Sequence, residues 1–344
     1  MTAPIRVVVV DDSAFARKVV REIFAGSGWV DVVGTARDGH EALELTATLN
    51  PDLVICDLRM PNMDGVKFVR KQMALRPVPI LILSAAAHDE AEVIEALSAG
   101  AVDVVRKPTA LATDDLKAVR ATLVAKVREA MQVPVANLAR ELVPSKPVER
   151  PVRATKADVV LIGISTGGPQ ALRRMMPLFA ADFPVPIAIV LHMPVGYTKL
   201  YAEKLNEVCA LTVKEAEDGD VLRPGLALVA AAGRHLVFHR NAAGQAVAQL
   251  TLQPVEKIHR PSVDVMFRSA AEIYRERVLA VVMTGMGDDG KEGAAWVKVQ
   301  GGRVFTESEK SCVIYGMPRS VAEAGLSDLV VPLDEMAQTI TAGV

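Results

Sequence analysis

The chain has 344 residues, of which 51% are hydrophobic and only 4% aromatic, and its formal net charge is −2. This length accommodates two domains with sizeable cores. A charge this close to zero gives no electrostatic reason to expect a nucleic-acid partner, and no basic helix-turn-helix pattern is present. The three cysteines, Cys56, Cys209 and Cys312, are widely spaced, which favours reduced thiols over disulfides. Since no segment is apolar enough to span a bilayer and no signal peptide is evident, we predict a cytoplasmic protein without direct membrane insertion.

The first predicted strands end in acidic residues. The run VVVV precedes Asp11 and Asp12, and the run LVICD ends at Asp57. Both runs are short and β-branched, which is typical of strands buried on both faces of a parallel sheet. The acids therefore fall at the carboxyl edge, where three carboxylates repel one another unless a cation such as Mg²⁺ lies between them. Asp12 or Ser13 could instead cap the next helix, and for the acid pair alone both interpretations stay open.

Two more polar groups follow later strands of the same region. Ser84 ends the run ILILS, and Lys107 follows VDVVR. They add a hydroxyl and an ammonium group to the edge that carries the three acids. The ordered series indicates a phosphoryl-accepting site with Asp57 as the nucleophile.

The segments VVDDS, CDLRMPNMDG, LSA and VRKP resemble the receiver domain of two-component response regulators over nearly the first third of the chain. The resemblance implies a flavodoxin-like, five-stranded, parallel, doubly wound sheet, with Asp57 phosphorylated by a histidine kinase. It also implies that Mg²⁺ is held by Asp12, Asp57 and the backbone carbonyl of Arg59, with Asp11 acting in an outer or water-bridging position.

Further roles follow from the same resemblance. Lys107 pairs with the phosphoryl oxygens, and Ser84 supplies the hydroxyl. Many receivers carry an aromatic switch residue three positions before the lysine, where this chain has Val104. Phosphoryl capture should survive that difference, but the rotation of a large ring is not available as a signal.

A change in composition separates the two halves. The stretch from Gln132 to Lys156 holds four prolines and no sustained periodicity, which indicates a semi-rigid linker, although NLARELV could form one short helix. We predict a receiver domain over 1–130, an interdomain linker over 131–154 and a catalytic domain over 155–344.

Strand and helix patterns alternate again after the linker. Strands are predicted at ADVVLIG, IAIVLH, LALVAA, HLVFHR, VLAVVMTG and GGRVFTE. The pattern predicts a second α/β domain with a mainly parallel sheet and an antiparallel hairpin near 226–252.

Three polar groups follow apolar strands of this second domain: Ser165, His192 and the pair Asp288–Asp289. All should line one crevice at the carboxyl edge of the sheet. A serine hydroxyl needs an imidazole to remove its proton, and a carboxylate fixes the imidazole tautomer. The order Ser, His, Asp differs from that of the α/β-hydrolases, so a different fold is expected.

Glycines surround these polar groups. The run GISTGG, with Gly167 and Gly168, lies between a strand and a helix, so backbone N–H groups can face a developing oxyanion there. Gly285, Gly287 and Gly290 surround Met286 and the acid pair in the same way.

Simpler interpretations are weighed for each residue. Ser165 or Thr166, and likewise Asp288 or Asp289, could cap helices, and His192 could be a satisfied histidine at a strand end. No pair of histidines or cysteines has the spacing of metal ligands with a third partner. The remaining histidines lack a comparable setting and are set aside: His40, His88, His235, His239 and His259.

The segments GISTGGP, LHMP, HRPSVD and MTGMGDDG resemble the output domain of the chemotaxis protein-glutamate methylesterases. The resemblance implies that Ser165 is the nucleophile, His192 the base and Asp289, the acid immediately before Gly290, the orienting group. It places Thr166 and Met286 beside the oxyanion site, and the glycine turn described above adds Gly167 and Gly168 to this oxyanion and substrate site.

The resemblance implies a phosphorylation-activated hydrolase for chemotactic adaptation. Its substrates would be glutamate γ-methyl esters of methyl-accepting chemoreceptors, with methanol released, and specific receptor glutamines that become deamidated. No metal or organic cofactor is expected in the esterase half. A non-enzymatic signalling adaptor is the alternative; a nucleotide-binding module is disfavoured, because the glycine-rich turn lacks the Walker lysine spacing and G-x-G-x-x-G.

Overall fold

The computed structural model describes residues 3–84, 89–107, 113–134 and 156–344, with the backbone alone for 113–118. The chain divides into two compact units, Met1–Arg140 and Glu141–Val344. Most of the predicted linker, including NLARELV, and His88 lie outside the described residues, so the predicted domain boundaries stay a prediction.

The first unit is a five-stranded parallel sheet in the order β2-β1-β3-β4-β5. The strands are β1 Ile5–Val10, β2 Val30–Ala36, β3 Leu53–Asp57, β4 Ile80–Ser84 and β5 Asp103–Arg106. The helices that alternate with them are α1 Ala14–Phe24, α2 Gly39–Leu49, α3 Gly65–Leu75, α4 Glu90–Ser98 and α5 Thr113–Ala130.

This arrangement brings the first acids together. The strand order reverses between β1 and β3, and a crevice opens at the carboxyl ends of the strands on either side of such a reversal. Asp11 follows β1 directly and Asp57 is the last residue of β3. In β1 the residues Val7–Val10 are fully buried, and so are Leu53–Cys56 in β3, as a parallel sheet covered on two faces requires.

The second unit contains a seven-stranded sheet in the order β14-β13-β12-β6-β7-β9-β8, and every pairing in it is parallel. Its strands are β6 Val159–Ile164, β7 Ile187–Leu191, β8 Thr212–Glu215, β9 Leu226–Val229, β12 Val278–Val282, β13 Arg303–Glu307 and β14 Leu329–Val331. The helices of the unit are α6 Gly168–Met175, α7 Thr198–Asn206, α8 Val263–Tyr274, α9 Lys291–Val299, α10 Met317–Glu323 and α11 Leu333–Ala342.

Two strands, β10 His235–Arg240 and β11 Ala246–Thr251, form a separate antiparallel hairpin. The predicted fold class is therefore confirmed, but the hairpin is narrower than predicted. The segment Leu226–Val229 belongs to the parallel sheet. It forms β9, which pairs with β7 on one side and β8 on the other, and all four of its side chains are buried.

The two edge strands, β8 and β14, escaped prediction from the sequence. They have four and three residues, and each carries exposed or half-exposed positions. Short edge strands with exposed positions lack the continuous apolar run that marks the interior strands. No helix within the described ranges combines the length and the apolarity needed to cross a bilayer.

The order of the large sheet reverses between β6 and β12, which makes the carboxyl ends of these strands a second crevice. Ser165 follows β6, His192 follows the neighbouring β7, and Asp289 lies in the loop after β12. The core behind them is formed by buried side chains such as Val159, Phe267 and Met317.

Candidate phosphoryl-accepting and catalytic sites

Three carboxylates meet at the crevice of the first unit. Asp11, Asp12 and Asp57 each present an oxygen within 4.8 Å of the others. Asp11 and Asp57 are buried, whereas Asp12 is exposed. A cluster of hard oxygen ligands with one side open to water fits Mg²⁺, which retains several water ligands.

Lys107 lies against the same acids. Its Nζ is 2.8 Å from Oδ2 of Asp11 and 2.7 Å from Oδ2 of Asp57. Although burial by itself lowers it, the two carboxylates raise the pKa of Lys107, so the ammonium stays charged. Burial raises the pKa of Asp57, opposed by the hydrogen bond from Lys107. The lysine therefore supports negative charge where Asp57 would accept a phosphoryl group.

The Ser84 hydroxyl lies at the end of β4 and donates to Oδ2 of Asp89 at 3.3 Å. Asp89 also pairs with Nε of Arg59 at 2.8 Å, so the loop after β3 is tied to the start of α4. Val104 is a buried residue of β5. The predicted roles of the Ser84 hydroxyl, Val104 and the Arg59 carbonyl stay predictions.

The helix-cap interpretation applies to Ser13 rather than to the acid pair. The Ser13 side chain accepts a hydrogen bond from the N–H of Ala16 and caps α1. Asp11 instead accepts from the N–H of Ser13 and faces Lys107.

In the second unit, Ser165 and His192 are neighbours across the sheet. The N–H of His192 donates to the carbonyl of Ile164, directly before Ser165, at 3.1 Å. The N–H of Ser165 donates to the carbonyl of Thr284 at 2.9 Å, which ties the serine loop to the end of β12. The two predicted catalytic side chains thus follow adjacent strands at one edge of the sheet.

Asp289 completes this group through a 2.9 Å contact between its Oδ2 and Nε2 of His192. Three further donors hold the carboxylate: the Ser262 hydroxyl and the N–H groups of Val263 and Asp264. Burial alone would raise the pKa of Asp289, but the His192 contact and the backbone donors hold it well below its usual range. The carboxylate is therefore ionised and fixed in direction.

The second ring nitrogen of His192, Nδ1, is the one that Asp289 does not contact. Nδ1 is buried and has no hydrogen-bond partner among the described residues. With Nε2 engaged by Asp289, Nδ1 is the only ring atom left to accept a proton. His192 is thus not a satisfied strand-end histidine.

The alternative that Ser165, Thr166, Asp288 or Asp289 caps the following helix is not observed. Helix α6 begins after Gly167 and α9 after Gly290, both in the left-handed conformation and neither with a capping side chain. Asp288 is exposed, and Asp289 faces α8 instead of capping its own helix.

Close backbone packing surrounds the serine. A Cβ on Gly285 would lie 2.7 Å from Cβ of Ser165, and one on Gly168 would lie 2.6 Å from a methyl carbon of Leu191. Only glycine allows these approaches. Thr166 is buried, whereas Met286 is 37% exposed at the surface of the same loop cluster, and their oxyanion role stays a prediction.

A buried acid supports this loop cluster from behind. Glu307, fully buried at the end of β13, accepts from the N–H of Thr284 at 2.9 Å and from the hydroxyl of Ser311 at 2.9 Å. The Thr284 hydroxyl in turn donates to the carbonyl of Thr166. Burial raises the pKa of Glu307 to about 7.

Sequence reasoning missed three residues that contact the predicted triad. The ring of His259 stacks on His192 with centroids 4.2 Å apart. Ser262 and Asp264 both contact Asp289. All three lie within the HRPSVD segment. The sequence gives them no individual role, because no spacing rule links this segment to strands β7 and β12.

An open cleft adjoins the triad. It has a volume of ≈ 370 Å³, and its lining includes His259, Ser262, Asp288 and Asp289. Neither Ser165 nor His192 lines this cleft, so it borders the Asp289 side of the group.

Comparisons with known proteins agree with this architecture. The family model described as CheB methylesterase matches residues 160–340, and that described as response regulator receiver domain matches 7–121. A Myxococcus xanthus protein named protein-glutamate methylesterase/protein-glutamine glutaminase 5 is 48% identical over 339 residues, which cover 98% of this chain and 97% of the relative. A Halalkalibacterium halodurans protein named protein-glutamate methylesterase/protein-glutamine glutaminase is 42% identical over 99% of this chain and 98% of its own.

A solved structure supports the same assignment for the second unit. The crystal structure of the Thermotoga maritima CheB methylesterase catalytic domain matches with 40% sequence identity and a TM-score of 0.53. The match covers 55% of this chain and 100% of the Thermotoga chain. The chain therefore belongs, as its motifs predicted, to the CheB methylesterase family, with a response regulator receiver domain ahead of the methylesterase region.

Proposed function

We propose that this chain is a phosphorylation-activated hydrolase that removes methyl groups from glutamate γ-methyl esters of chemoreceptors and deamidates specific receptor glutamines. The observation that carries the proposal is the state of His192. Asp289 contacts Nε2 at 2.9 Å, and within the described part of the chain the buried Nδ1 has no hydrogen-bond partner; His192 follows β7 and Ser165 follows the adjacent β6. Nucleophilic acyl transfer requires an oriented imidazole whose open nitrogen can take the proton of a serine hydroxyl, and we assign that hydroxyl to Ser165.

The reaction begins at the serine. Nδ1 of His192 takes the proton of the Ser165 hydroxyl while the serine oxygen bonds to the substrate carbonyl carbon. The carbonyl π-electrons move to oxygen, and the negative charge develops near the loops that carry Thr166 and Met286. Asp289 stabilises the imidazolium through Nε2, and general-base help of this kind contributes roughly 10²–10⁴-fold.

The tetrahedral intermediate then collapses. The bond to the leaving group breaks, and His192 returns the proton, so that methanol leaves an ester and ammonia leaves an amide. Water repeats the cycle on the acyl-serine and releases a receptor glutamate. The same residues serve both substrates because both pass through a tetrahedral oxyanion.

In the first unit we assign Asp57 as the residue that receives a phosphoryl group from a histidine kinase. Asp11, Asp12 and Asp57 would hold Mg²⁺, which when bound neutralises charge on the transferring group. Lys107, already paired with Asp57, supports the added negative charge. Raising an active fraction from one per cent to one half needs only about 2.7 kcal/mol of differential stabilisation, which a few charge-assisted contacts to a phosphoryl group supply.

Mass spectrometry of methylated receptor cytoplasmic fragments tests the proposal. The full chain with Mg²⁺ is incubated with and without a small phosphoryl donor, and methanol and ammonia are measured in parallel. We expect ester loss and deamidation that increase with the donor, and no increase for Asp57→Asn. Ser165→Ala should stop both reactions. A protein that retains full hydrolysis without the Ser165 hydroxyl would disprove the mechanism, and a signalling adaptor would release no methanol in either form.

A further inference from the structure

A second histidine, His235, is fully buried at the start of β10. Its Nδ1 accepts a hydrogen bond from the N–H of Ser262 at 3.2 Å, and its Nε2 lies 3.1 Å from the carbonyl oxygen of Pro254. Because a backbone N–H only donates and a carbonyl only accepts, His235 is a neutral imidazole with its proton on Nε2. The ring thus joins two points of the 254–262 segment.

The partner of His235 contacts the triad directly. Ser262 is 1% exposed, and its hydroxyl donates to Oδ1 of Asp289 at 2.8 Å. Asp289 contacts Nε2 of His192 through its other oxygen. A continuous series of hydrogen bonds therefore runs from His235 through Ser262 and Asp289 to His192.

We propose that Ser262 and His235 are positioning residues for the hydrolysis, with the Ser262 hydroxyl orienting the Asp289 carboxylate and His235 fixing the backbone of Ser262. The inference rests on the proposed function for its kinetic consequences. Its structural part, the coupling of these residues to His192, can be measured without any substrate.

The local chain explains why such support is needed. The segment between β11 and α8 has no regular secondary structure, and it carries both Ser262 and His259, whose ring stacks on His192. Besides the two contacts of His235, the N–H of Gly233 donates to the carbonyl of Arg260. The β10–β11 hairpin thus holds the segment from one side, while Asp289 holds its end.

The charge state of His235 agrees with this role. Burial is the main cause that lowers its pKa, with a further contribution from the nearby charge of Arg260; the Pro254 carbonyl, Asp289 and Glu256 act in the opposite direction. A second proton on Nδ1 would face the Ser262 N–H and break the contact. The neutral form is therefore the one that holds Ser262.

Ser262→Ala tests the first link. Without the Ser262 donor the Asp289 carboxylate is less firmly oriented towards Nε2 of His192, so we expect the NMR resonance of the His192 ring N–H in the full chain to move. With methylated receptor fragment, kcat should fall about tenfold, the loss expected for a hydrogen bond to a charged group, while KM stays unchanged. Ser262→Thr, which keeps the hydroxyl, should restore both values toward wild type. An unchanged His192 ring N–H resonance in Ser262→Ala overturns the proposal.

A pair of substitutions tests the second link. His235→Asn retains an acceptor near the position of Nδ1 and should retain more activity than His235→Leu, which removes it. His239→Asn, on the exposed part of the same strand, serves as the control and should match wild type. Equal kcat for His235→Leu and wild type overturns the role of His235. Absence of ester hydrolysis in the wild-type chain, with the His192 shift still present, would instead count against the proposed function alone.

Discussion

Asp289, just before α9, binds the backbone at the start of α8, and Asp264, the second residue of α8, binds the backbone at the start of α9. Asp289 accepts from the N–H groups of Val263 and Asp264 at the start of α8, and Asp264 accepts from those of Gly290 and Gly293 at the start of α9, each at 2.8–3.0 Å. Negative charge is favourable at both helix N-termini. This crossed arrangement aims Asp289 at His192, which a carboxylate capping its own helix could not reach.

The two carboxylates also affect each other. Burial and the charge of Asp289 raise the pKa of Asp264, opposed by Gly293 and by Lys257, whose Nζ lies 3.1 Å from Asp264. The backbone donors and Lys257 therefore make it possible to keep two acids close together in the interior.

Substitution of the acid pair distinguishes the orienting group. Asp289→Asn removes the charge that stabilises the imidazolium, so we expect kcat for ester hydrolysis to fall by roughly 10³–10⁴. Asp288→Asn changes an exposed neighbour and should leave kcat within about twofold, since surface changes away from a site have small effects. Steady-state methanol release measures both, and a larger loss in Asp288→Asn would reverse the assignment.

Asp264 has a structural role that stability measurements can isolate. Asp264→Ala leaves two buried N–H groups without acceptors, at a cost of about 2–4 kcal/mol in the free energy of unfolding. Asp264→Asn keeps an amide oxygen for them and should lose less. Urea denaturation followed by Trp296 fluorescence, in a Trp29→Phe background, reports the second unit alone; equal stability of the two variants contradicts this role.

The approach of Gly285 to the serine predicts a kinetic defect. A Cβ in Gly285→Ala would lie 2.7 Å from Cβ of Ser165 and would also meet Met317, so the proposed nucleophile Ser165 must shift. A small displacement of this kind can lower kcat by about 10²-fold. Gly244→Ala, in the turn between β10 and β11, is the control: its Cβ meets nothing within 4 Å, and its φ of 78° adds backbone strain of about 1–2 kcal/mol. Similar rates for the two variants would contradict the prediction.

Glu307 predicts how stability depends on pH. Its pKa is about 7 in the folded chain and 4.5 as the ordinary value, so the folded state binds more protons between these limits. Stability from this group is complete below pH 4.5 and is lost as pH rises through 7, by roughly 3 kcal/mol in all.

Glu307→Gln should remove this dependence. The amide still accepts from the Thr284 N–H and can donate to the Ser311 hydroxyl. Because it does not titrate, the free energy of unfolding of the variant should increase relative to that of the wild type as pH rises from 4.5 to 7. The exposed Glu309→Gln should parallel wild type across the window. Parallel curves for Glu307→Gln and wild type would show that Glu307 does not titrate there.

The carboxylate cluster of Asp11, Asp12 and Asp57 leads to a prediction about Mg²⁺ binding. Asp12→Asn removes one of three close carboxylates and should weaken Mg²⁺ binding, measured by calorimetry, by about tenfold or more, because hard cations depend on ligand charge. Asp31→Asn is the matched control, since Asp31 is exposed at the opposite end of the sheet, beside the start of β1. Equal affinities for the two variants would exclude Asp12 as a ligand.

Much of the fold follows from local patterns. Buried runs such as LVICD and VLAVV give strands of a parallel sheet, because no other element of that length hides every side chain. The pattern failed where burial was incomplete, at β8 and β14, and where four apolar residues, Leu226–Val229, were assigned to the wrong sheet. Pairing partners are long-range choices that a strand does not encode by itself.

Local sequence patterns are enough to predict polar residues at the strand ends of each unit, Asp57 in the first and Ser165 and His192 in the second. Strand periodicity and the rule that parallel strands share a carboxyl edge are enough to place them together. Three further contacts are evident only in the folded chain: Asp289 with His192, the Ser262 N–H with His235, and Glu307 with the Thr284 N–H beneath the serine loop. These contacts join groups 23 to 97 positions apart, and their geometry arises from packing between elements, which no local pattern records.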